Sequence, residues 1–284
     1  MFNLNLTAMK RTSLIFATSL MLMATISLTS CQKDEETDPI VSTMQQDDEA
    51  TAYYDDVLTE VDELTMKSDD AKSMDYAVLN TEGQGTRTRK TSWDGDWRVD
   101  TITYSNFVNG NARFEKVKNG QIVIRTLGNP LAESFERNVT FVNFTINGNL
   151  IEGEKNITKT ANYTYTITLQ DGKITFTDGT TYTRTFTRTR TWVAGFDTPY
   201  YIWDDIHTVE GTATGINRNG YAYTHQITNA LMIKLSCRWI VEGTIELTVG
   251  DKSATFDYGN GECDNIATVT VNGKTYEVKL RGGK

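Results

Sequence analysis

Histidine is nearly missing from this chain: His207 and His225 are the only two in 284 residues, and proline and cysteine occur three times each. Each scarcity removes a class of function. So few histidines cannot cluster around Cys237 and Cys263 to make a zinc centre, nor supply a Cys–His nucleophile. No catalytic residue, enzymatic activity or cofactor is therefore expected. A basic excess is also absent, since the formal net charge is −9, and the electrostatic footprint of a nucleic-acid binder goes with it. No long uninterrupted apolar run occurs either. The first apolar stretch, carried by Leu14, Ile15, Phe16, Leu20, Met21, Leu22, Met23 and Ile26, is broken by Thr and Ser and is too short for a membrane span. Beyond residue 92 only Pro130 and Pro199 remain, so few strands are forced to a sheet edge.

The charge that is present is unevenly placed. Residues 31–85 hold 16 Asp and Glu against Lys33, Lys67 and Lys72, whereas residues 86–284 hold 21 acids and 23 bases. The acid belongs to the N-terminal part, and the larger part is nearly neutral. Self-repulsion keeps such an acidic stretch extended and away from anionic surfaces.

Lys10-Arg11 ahead of the broken apolar stretch has the layout of a secretory signal. The stretch closes on Leu28-Thr29-Ser30-Cys31, which resembles the lipobox of bacterial lipoproteins. That resemblance implies that residues 1–30 are removed and that Cys31 carries acyl chains on its thiol and its new amine. Each buried CH₂ contributes about 0.8 kcal/mol, so several chains anchor stably. Gln32-Lys33-Asp34-Glu35-Glu36 then resembles the export signal of Bacteroidota lipoproteins. This implies the outer membrane, with the protein facing the cell exterior and the membrane as its partner through the lipid anchor. With Cys31 acylated and the compartment oxidising, Cys237 and Cys263 are expected to form one disulfide.

Five segments follow from composition and period: a signal peptide over 1–30, an acidic tether over 31–46, a helical segment over 47–79, a linker over 80–91, and an antiparallel β domain over 92–284. In the helical segment Tyr54, Val57, Leu58, Val61, Leu64 and Thr65 recur at steps of three and four, with Asp55, Asp56, Glu60, Asp62 and Glu63 on the other faces. Asp47 and Asp48 suit its N-cap. A helix of this length is marginal alone, so its apolar stripe is expected to pack on the β domain.

From Trp93 the period changes to two, punctuated by Asn109-Gly110, Asn119-Gly120, Asn147-Gly148, Asp171-Gly172, Asp178-Gly179, Asn219-Gly220 and Asn272-Gly273. These dipeptides tolerate the positive φ of tight hairpin turns. Three registers can be tested for apolar pairs. Across Asn272-Gly273, Val271 meets Lys274, Val269 meets Tyr276 and Ala267 meets Val278. Across Asp171-Gly172, Leu169 meets Ile174 and Ile167 meets Phe176. Across Gly250-Asp251, Leu247 meets Ala254, Ile245 meets Phe256 and Gly243 meets Tyr258. The expected fold is all-β: an antiparallel β-meander of about a dozen strands, closed into a sandwich or curled sheet, preceded by one short acidic amphipathic helix. The last register sets Cys237 opposite Asp264, and one bulge in the first strand would bring the sulfurs together.

Three stretches carry candidate chemistry. In Thr181–Trp192 every odd position is Thr, the mark of a solvated strand face. Arg184, Arg188 and Arg190 lie on the opposite face, where they interrupt the core and suit stacking on aromatic rings or pairing with anions. From Trp192 to His207 the alternation stops. Trp192, Phe196, Tyr200, Tyr201 and Trp203 then supply ring faces, and Asp197, Asp204 and Asp205 supply acceptors, the combination that sugar recognition uses. This loop is the expected contact surface for a glycan or protein ligand. Adjacent Asp204 and Asp205 point apart on an extended chain, so a glycosidase ranks low. Asp257, Asn260, Glu262 and Asp264, spaced by glycines, offer oxygens for Ca²⁺, but without the spacing of an EF-hand loop.

The stretches Cys237–Ile245, Asp257–Asn265 and Val271–Lys274 resemble the C-terminal module of Bacteroidota surface lipoproteins that have no established activity. The resemblance implies a β domain at the cell surface and assigns no residue roles. Arg87-Thr88-Arg89-Lys90 in the linker offers the alternative of a structural, pilin-like subunit, since type V pilins of that phylum mature by cleavage after Arg.

Overall fold

The computed structural model describes residues 39–66, 77–78, 85–108, 116–130, 132–198 and 201–280. Cys31, the lipobox, the export signal and Asn109-Gly110 lie outside them. One helix, α1 (Pro39–Met66), precedes fourteen strands: β1 (Ala77–Val78), β2 (Thr86–Asp94), β3 (Trp97–Val108), β4 (Val117–Gly128), β5 (Phe135–Ile146), β6 (Asn149–Ala161), β7 (Thr164–Thr175), β8 (Thr181–Ala194), β9 (Ile206–Ile216), β10 (Ala222–Lys234), β11 (Ile240–Val249), β12 (Lys252–Asn260), β13 (Ile266–Val271) and β14 (Lys274–Lys279). Each strand pairs antiparallel with the next, so spatial order equals chain order in a single 14-stranded sheet. No pairing among the described residues joins β14 back to β1 or β2, so the meander is not closed into a barrel.

The helix explains why the sheet curls. Ile40, Val41, Met44, Asp47, Ala50, Tyr54, Val57, Glu60 and Val61 are all buried. At about 100° per residue these positions cover roughly two-thirds of the helix circumference, more than one flat sheet face can cover. The strands therefore wrap the helix. Along it the contacts move steadily across the sheet. Thr43 accepts from Asn217 beyond β9, and Asp47 pairs with Arg184 on β8 and His225 on β10. The Tyr54 carbonyl accepts from Lys155 on β6, and Glu60 pairs with Lys118 on β4 and Arg87 on β2.

Three expectations change at this helix. It begins at Pro39, inside the stretch assigned to the tether; proline suits a first helical position because its missing N–H has no partner there anyway. Asp47 and Asp48 are consequently interior to the helix and not its N-cap. The apolar stripe is not the only face that packs on the sheet either, because acids on the other faces meet the sheet's polar and cationic side chains. Asp47 is fully buried, with Arg184 Nη1 at 2.7 Å, the Tyr182 hydroxyl donating at 2.8 Å and His225 Nδ1 at 2.6 Å. A carboxylate only accepts, so Nδ1 carries the imidazole proton. Burial alone would raise the Asp47 carboxyl, but Arg184 and His225 outweigh it and hold the group far below the usual carboxylate range. Glu60 sits 2.8 Å from Arg87 and against Lys118, and Asp56 takes Lys118 at 3.0 Å and Lys116 at 3.3 Å. Both carboxyls are likewise lowered: burial opposes, and Lys118 with its neighbouring cations prevails.

The linker over 80–91 is also revised, since β2 starts at Thr86. Arg87 is tied to Glu60, and Arg89 Nε donates to Asp100 at 2.8 Å. The arginines on which the pilin alternative rested are buried strand residues.

Two of the tested registers hold. Val271, Val269 and Ala267 face Lys274, Tyr276 and Val278. Leu247 and Ile245 face Ala254 and Phe256, but the ladder shifts at Gly243, which removes the expected Gly243–Tyr258 pair. The extra residue lies on β12, not on the first strand. Cys237 and Cys263 meet from two connections at the same end of the sheet, their Cα atoms 5.7 Å apart. Replacing both by Ser should lower stability by about 2–4 kcal/mol, read from urea unfolding.

The third register fails. Asp171-Gly172 is a bulge inside β7, not a turn: Leu169 faces Lys155 and Phe186, and Ile174 faces Ile151 and Tyr182. The bulge switches the buried positions from Tyr165, Ile167 and Leu169 to Gly172, Ile174 and Phe176. A hairpin would produce the same apolar pattern, which is why the two are indistinguishable by periodicity. A Cβ on Gly172 would lie 2.4 Å from the Arg184 carbonyl oxygen, so only glycine fits this close approach. Asn119-Gly120 likewise lies inside β4 and not at a turn, opposite bulges on β3 and β5. Asn147-Gly148 and Asn272-Gly273 do form two-residue hairpin turns with both φ positive.

Candidate ligand-binding surface

Strand β8 separates two chemistries. Its odd threonines face outward and join rows across neighbouring strands, such as Thr168–Thr187–Thr212. Its even side chains point to the core. Arg188 lies over the Phe186 ring at 4.6 Å, and Arg190 over Tyr165 at 5.9 Å. Both readings of these arginines therefore apply: Arg184 pairs with an anion of the helix, and Arg188 and Arg190 stack on rings.

After Ala194 the chain leaves the sheet. Gly195 has φ +89°, and a Cβ there would stand 2.4 Å from Asp205 Oδ1. The turn closes by Thr198 N–H donating to the Gly195 carbonyl at 3.1 Å, and Tyr201 N–H donates to the Thr198 carbonyl at 2.8 Å. A single 3₁₀ turn, Ile202–Asp204, follows. Ile202 is buried and anchors this turn in the core, and the Asp205 carbonyl accepts from Leu235 N–H at 2.9 Å. With Ile202 pointing in, its neighbours point out: Tyr201 is 58% exposed and Trp203 42%.

The expected site residues divide accordingly. Phe196, Tyr201, Trp203, Asp197 and Asp204 lie on the surface. Asp204 holds its position by accepting from the Thr198 hydroxyl at 2.7 Å. Trp192 does not belong to the surface: it is 3% exposed, its ring edge-on to Tyr163 and Phe196 and 6.0 Å from His207. It plugs the sheet end. Asp205 is buried as well, 3.9 Å from His207, and cannot serve as an open acceptor. Tyr200 lies outside the described residues. The adjacent carboxylates Asp204 and Asp205 thus diverge, one outward and one inward.

One ring escaped the sequence reading. Tyr163, in the β6–β7 turn, stacks on Phe196 with centroids 4.7 Å apart and planes 22° from parallel. The Trp192 backbone N–H donates to the Tyr163 carbonyl at 2.8 Å, closing this corner. Taking β7 as one long strand pairs Thr164 with Thr191 and so places Tyr163 beside Trp192; the false hairpin at Asp171-Gly172 hid it.

The glycine-rich loop after β12, at the same end of the sheet, uses its side-chain oxygens locally. Asp257 Oδ1 accepts from Gly259 N–H, Asn260 Oδ1 from Glu262 N–H, and Asp264 Oδ1 from Ile266 N–H. Each oxygen caps its own turn. Among the described residues no three His, Cys, Asp or Glu side chains stand close enough together to hold a metal ion.

No family model, curated protein or solved structure matches this chain. The site must be judged on its own geometry: a firmly anchored turn that presents two rings to solvent, a stacked pair beside it, and two outward carboxylates.

Proposed function

We propose that the chain is a lipid-anchored surface protein of the outer membrane, and that its β domain binds a glycan, without turning it over, through Phe196, Tyr201 and Trp203. The observation that carries this reading is the pairing of buried Ile202 with exposed Tyr201 and Trp203. Rigidly held rings offer large apolar contact at little entropic cost, which is how binding hot spots are built. Sugar rings present an apolar face for such stacking and hydroxyls for Asp197 and Asp204. A protein partner using the same rings is the alternative outcome.

The test is the Tyr201→Ala, Trp203→Ala double variant on a glycan array and in a pull-down. Both rings are largely in solvent, so Tm should stay within about 2 °C of the parent. Each ring lost should weaken binding by about 2 kcal/mol. A variant that unfolds, or one that binds as before, contradicts the reading.

Anchoring rests on the Leu28–Cys31 lipobox and the acidic run behind it. Cys31→Ser should move the protein from the detergent phase of a membrane extract into the aqueous phase or leave uncleaved precursor. Continued recovery of processed protein with the detergent phase refutes the lipid anchor.

A further inference from the structure

The two edges of the sheet are finished differently. At one, β1 covers part of β2 through Ala77↔Arg89 and Val78↔Thr88. At the other, β14 has no strand on its outer side among the described residues. The Asn272-Gly273 turn pairs Val271 with Lys274, Val269 with Tyr276 and Ala267 with Val278. In a two-residue hairpin the residues flanking the turn exchange both backbone bonds, and every second pair repeats this. Lys274, Tyr276 and Val278 therefore turn their N–H and C=O groups toward β13. Leu280 follows, its N–H donating to the Asn265 carbonyl at 2.9 Å. Thr275, Glu277 and Lys279 turn their backbone groups to the open edge, a template for another strand.

Edge strands commonly use charge to repel such a strand. Here the charges favour one arrangement instead. On β13, Glu277 and Lys279 face Thr268 and Ile266, which carry no charge. In an antiparallel pairing of β14 with β14 of a second copy, about a two-fold axis through Val278, Glu277 of each copy faces Lys279 of the other. These are the residues whose backbone groups point outward, so each such pair exchanges two N–H···O=C bonds. On the inner face Val278 meets Val278, and Tyr276 meets Leu280. Val278 and Leu280 are buried, but Tyr276 is 45% exposed at the open edge. The pairing would cover it. Other axes fit worse: one through Glu277 sets two carboxylates face to face, and one through Tyr276 sets Lys274 against Val278.

We propose that β14 is a self-association edge, through which two copies of this chain join antiparallel about Val278 into one continuous sheet. The partner is a second copy because opposite charges and apolar side chains are matched in the same register. The surface is separate from the exposed rings and stands whether or not they bind a glycan. One short strand pair is smaller than a standard stable interface, so the association is reversible and depends on concentration.

The test is sedimentation velocity of the mature chain in detergent solution over a concentration series, with each variant in the same detergent. A reversible monomer–dimer equilibrium is expected. Glu277→Lys turns both cross-strand charge pairs from attraction to repulsion and should weaken dimerisation at least about tenfold. Lys279→Glu should do the same. The two together exchange the charges and should restore dimerisation to within about threefold of the parent. Both positions are exposed, so the fold does not depend on them. Val278→Cys should cross-link two copies on mild oxidation, because facing residues of a non-hydrogen-bonded pair have Cβ atoms about 4.5–5.5 Å apart. Tyr276→Cys should not, because its two copies would stand roughly 13 Å apart at about 3.3 Å per residue. A chain that stays monomeric throughout, a double charge variant no better than the single ones, or cross-linking through Tyr276→Cys in place of Val278→Cys overturns the proposal.

Discussion

Asp47→Ala should destabilise the protein by about 3–5 kcal/mol, the usual consequence of removing one member of a buried charged cluster. The size follows from what stays behind. Arg184 and His225 are both buried, and both lose the carboxylate that they share. The Tyr182 hydroxyl loses its acceptor too. Methyl packing cannot replace these terms, because a charge without a partner in the interior keeps its full desolvation penalty. Urea unfolding followed by tryptophan fluorescence and by far-UV circular dichroism measures the loss. A change below about 1 kcal/mol, typical of surface substitutions, contradicts a buried charged cluster at Asp47.

Acid should act on the same network, and every sign points one way. Asp47, Asp56 and Glu60 have carboxyls lowered in the folded state, so they bind protons more readily in the unfolded chain. Their contribution is complete above the unfolded carboxylate values near about 4 and is lost as pH falls through the lower folded values. His225 is lowered as well: burial outweighs the pull of Asp47 and keeps the imidazole neutral. Below the unfolded histidine value of about 6.5, only the unfolded chain takes up that proton, which again disfavours folding. Stability should therefore be flat from pH 8 to 7, decline below about 6.5, and fall more steeply below about 4, each unmatched proton costing about 1.4 kcal/mol per pH unit. Urea midpoints across that range check it. A profile that rises between pH 6.5 and 5 contradicts a neutral, buried His225.

The sequence made the sheet legible for a physical reason. Period two, Asn-Gly turns and opposed apolar pairs are local, so Asn272-Gly273 and Gly250-Asp251 could be registered residue by residue. Bulges broke that logic: at Gly172 one extra residue on β7 changes face parity just as a hairpin does, and beside Gly120 the extra residues lie on the neighbouring strands β3 and β5. The helix was legible as amphipathic only in part. Tyr54, Val57 and Val61 marked its apolar stripe, but Asp56 and Glu60 fell on its other faces and Asp47 read as its N-cap. Their burial depends on Arg87, Lys118, Arg184 and His225, which come from strands scattered through the chain and which only the closed tertiary structure brings together. At the candidate surface, composition pointed to the right turn but could not separate inward from outward rings. Ile202 as an anchor decides that Tyr201 and Trp203 face out, while Trp192, still in register on β8, goes to the core.

The structure is organised by charge: an acidic helix is seated inside a curled sheet by cations on its inner face. The most direct measurement is a double-mutant cycle of Asp47→Ala with Arg184→Met, read from equilibrium unfolding. The account predicts strong coupling, with the double variant more stable than the sum of the single losses by about 2–3 kcal/mol, because neither charge is then left buried alone. Additivity within about 0.5 kcal/mol would mean that the two side chains do not depend on each other and that apolar packing alone holds the helix.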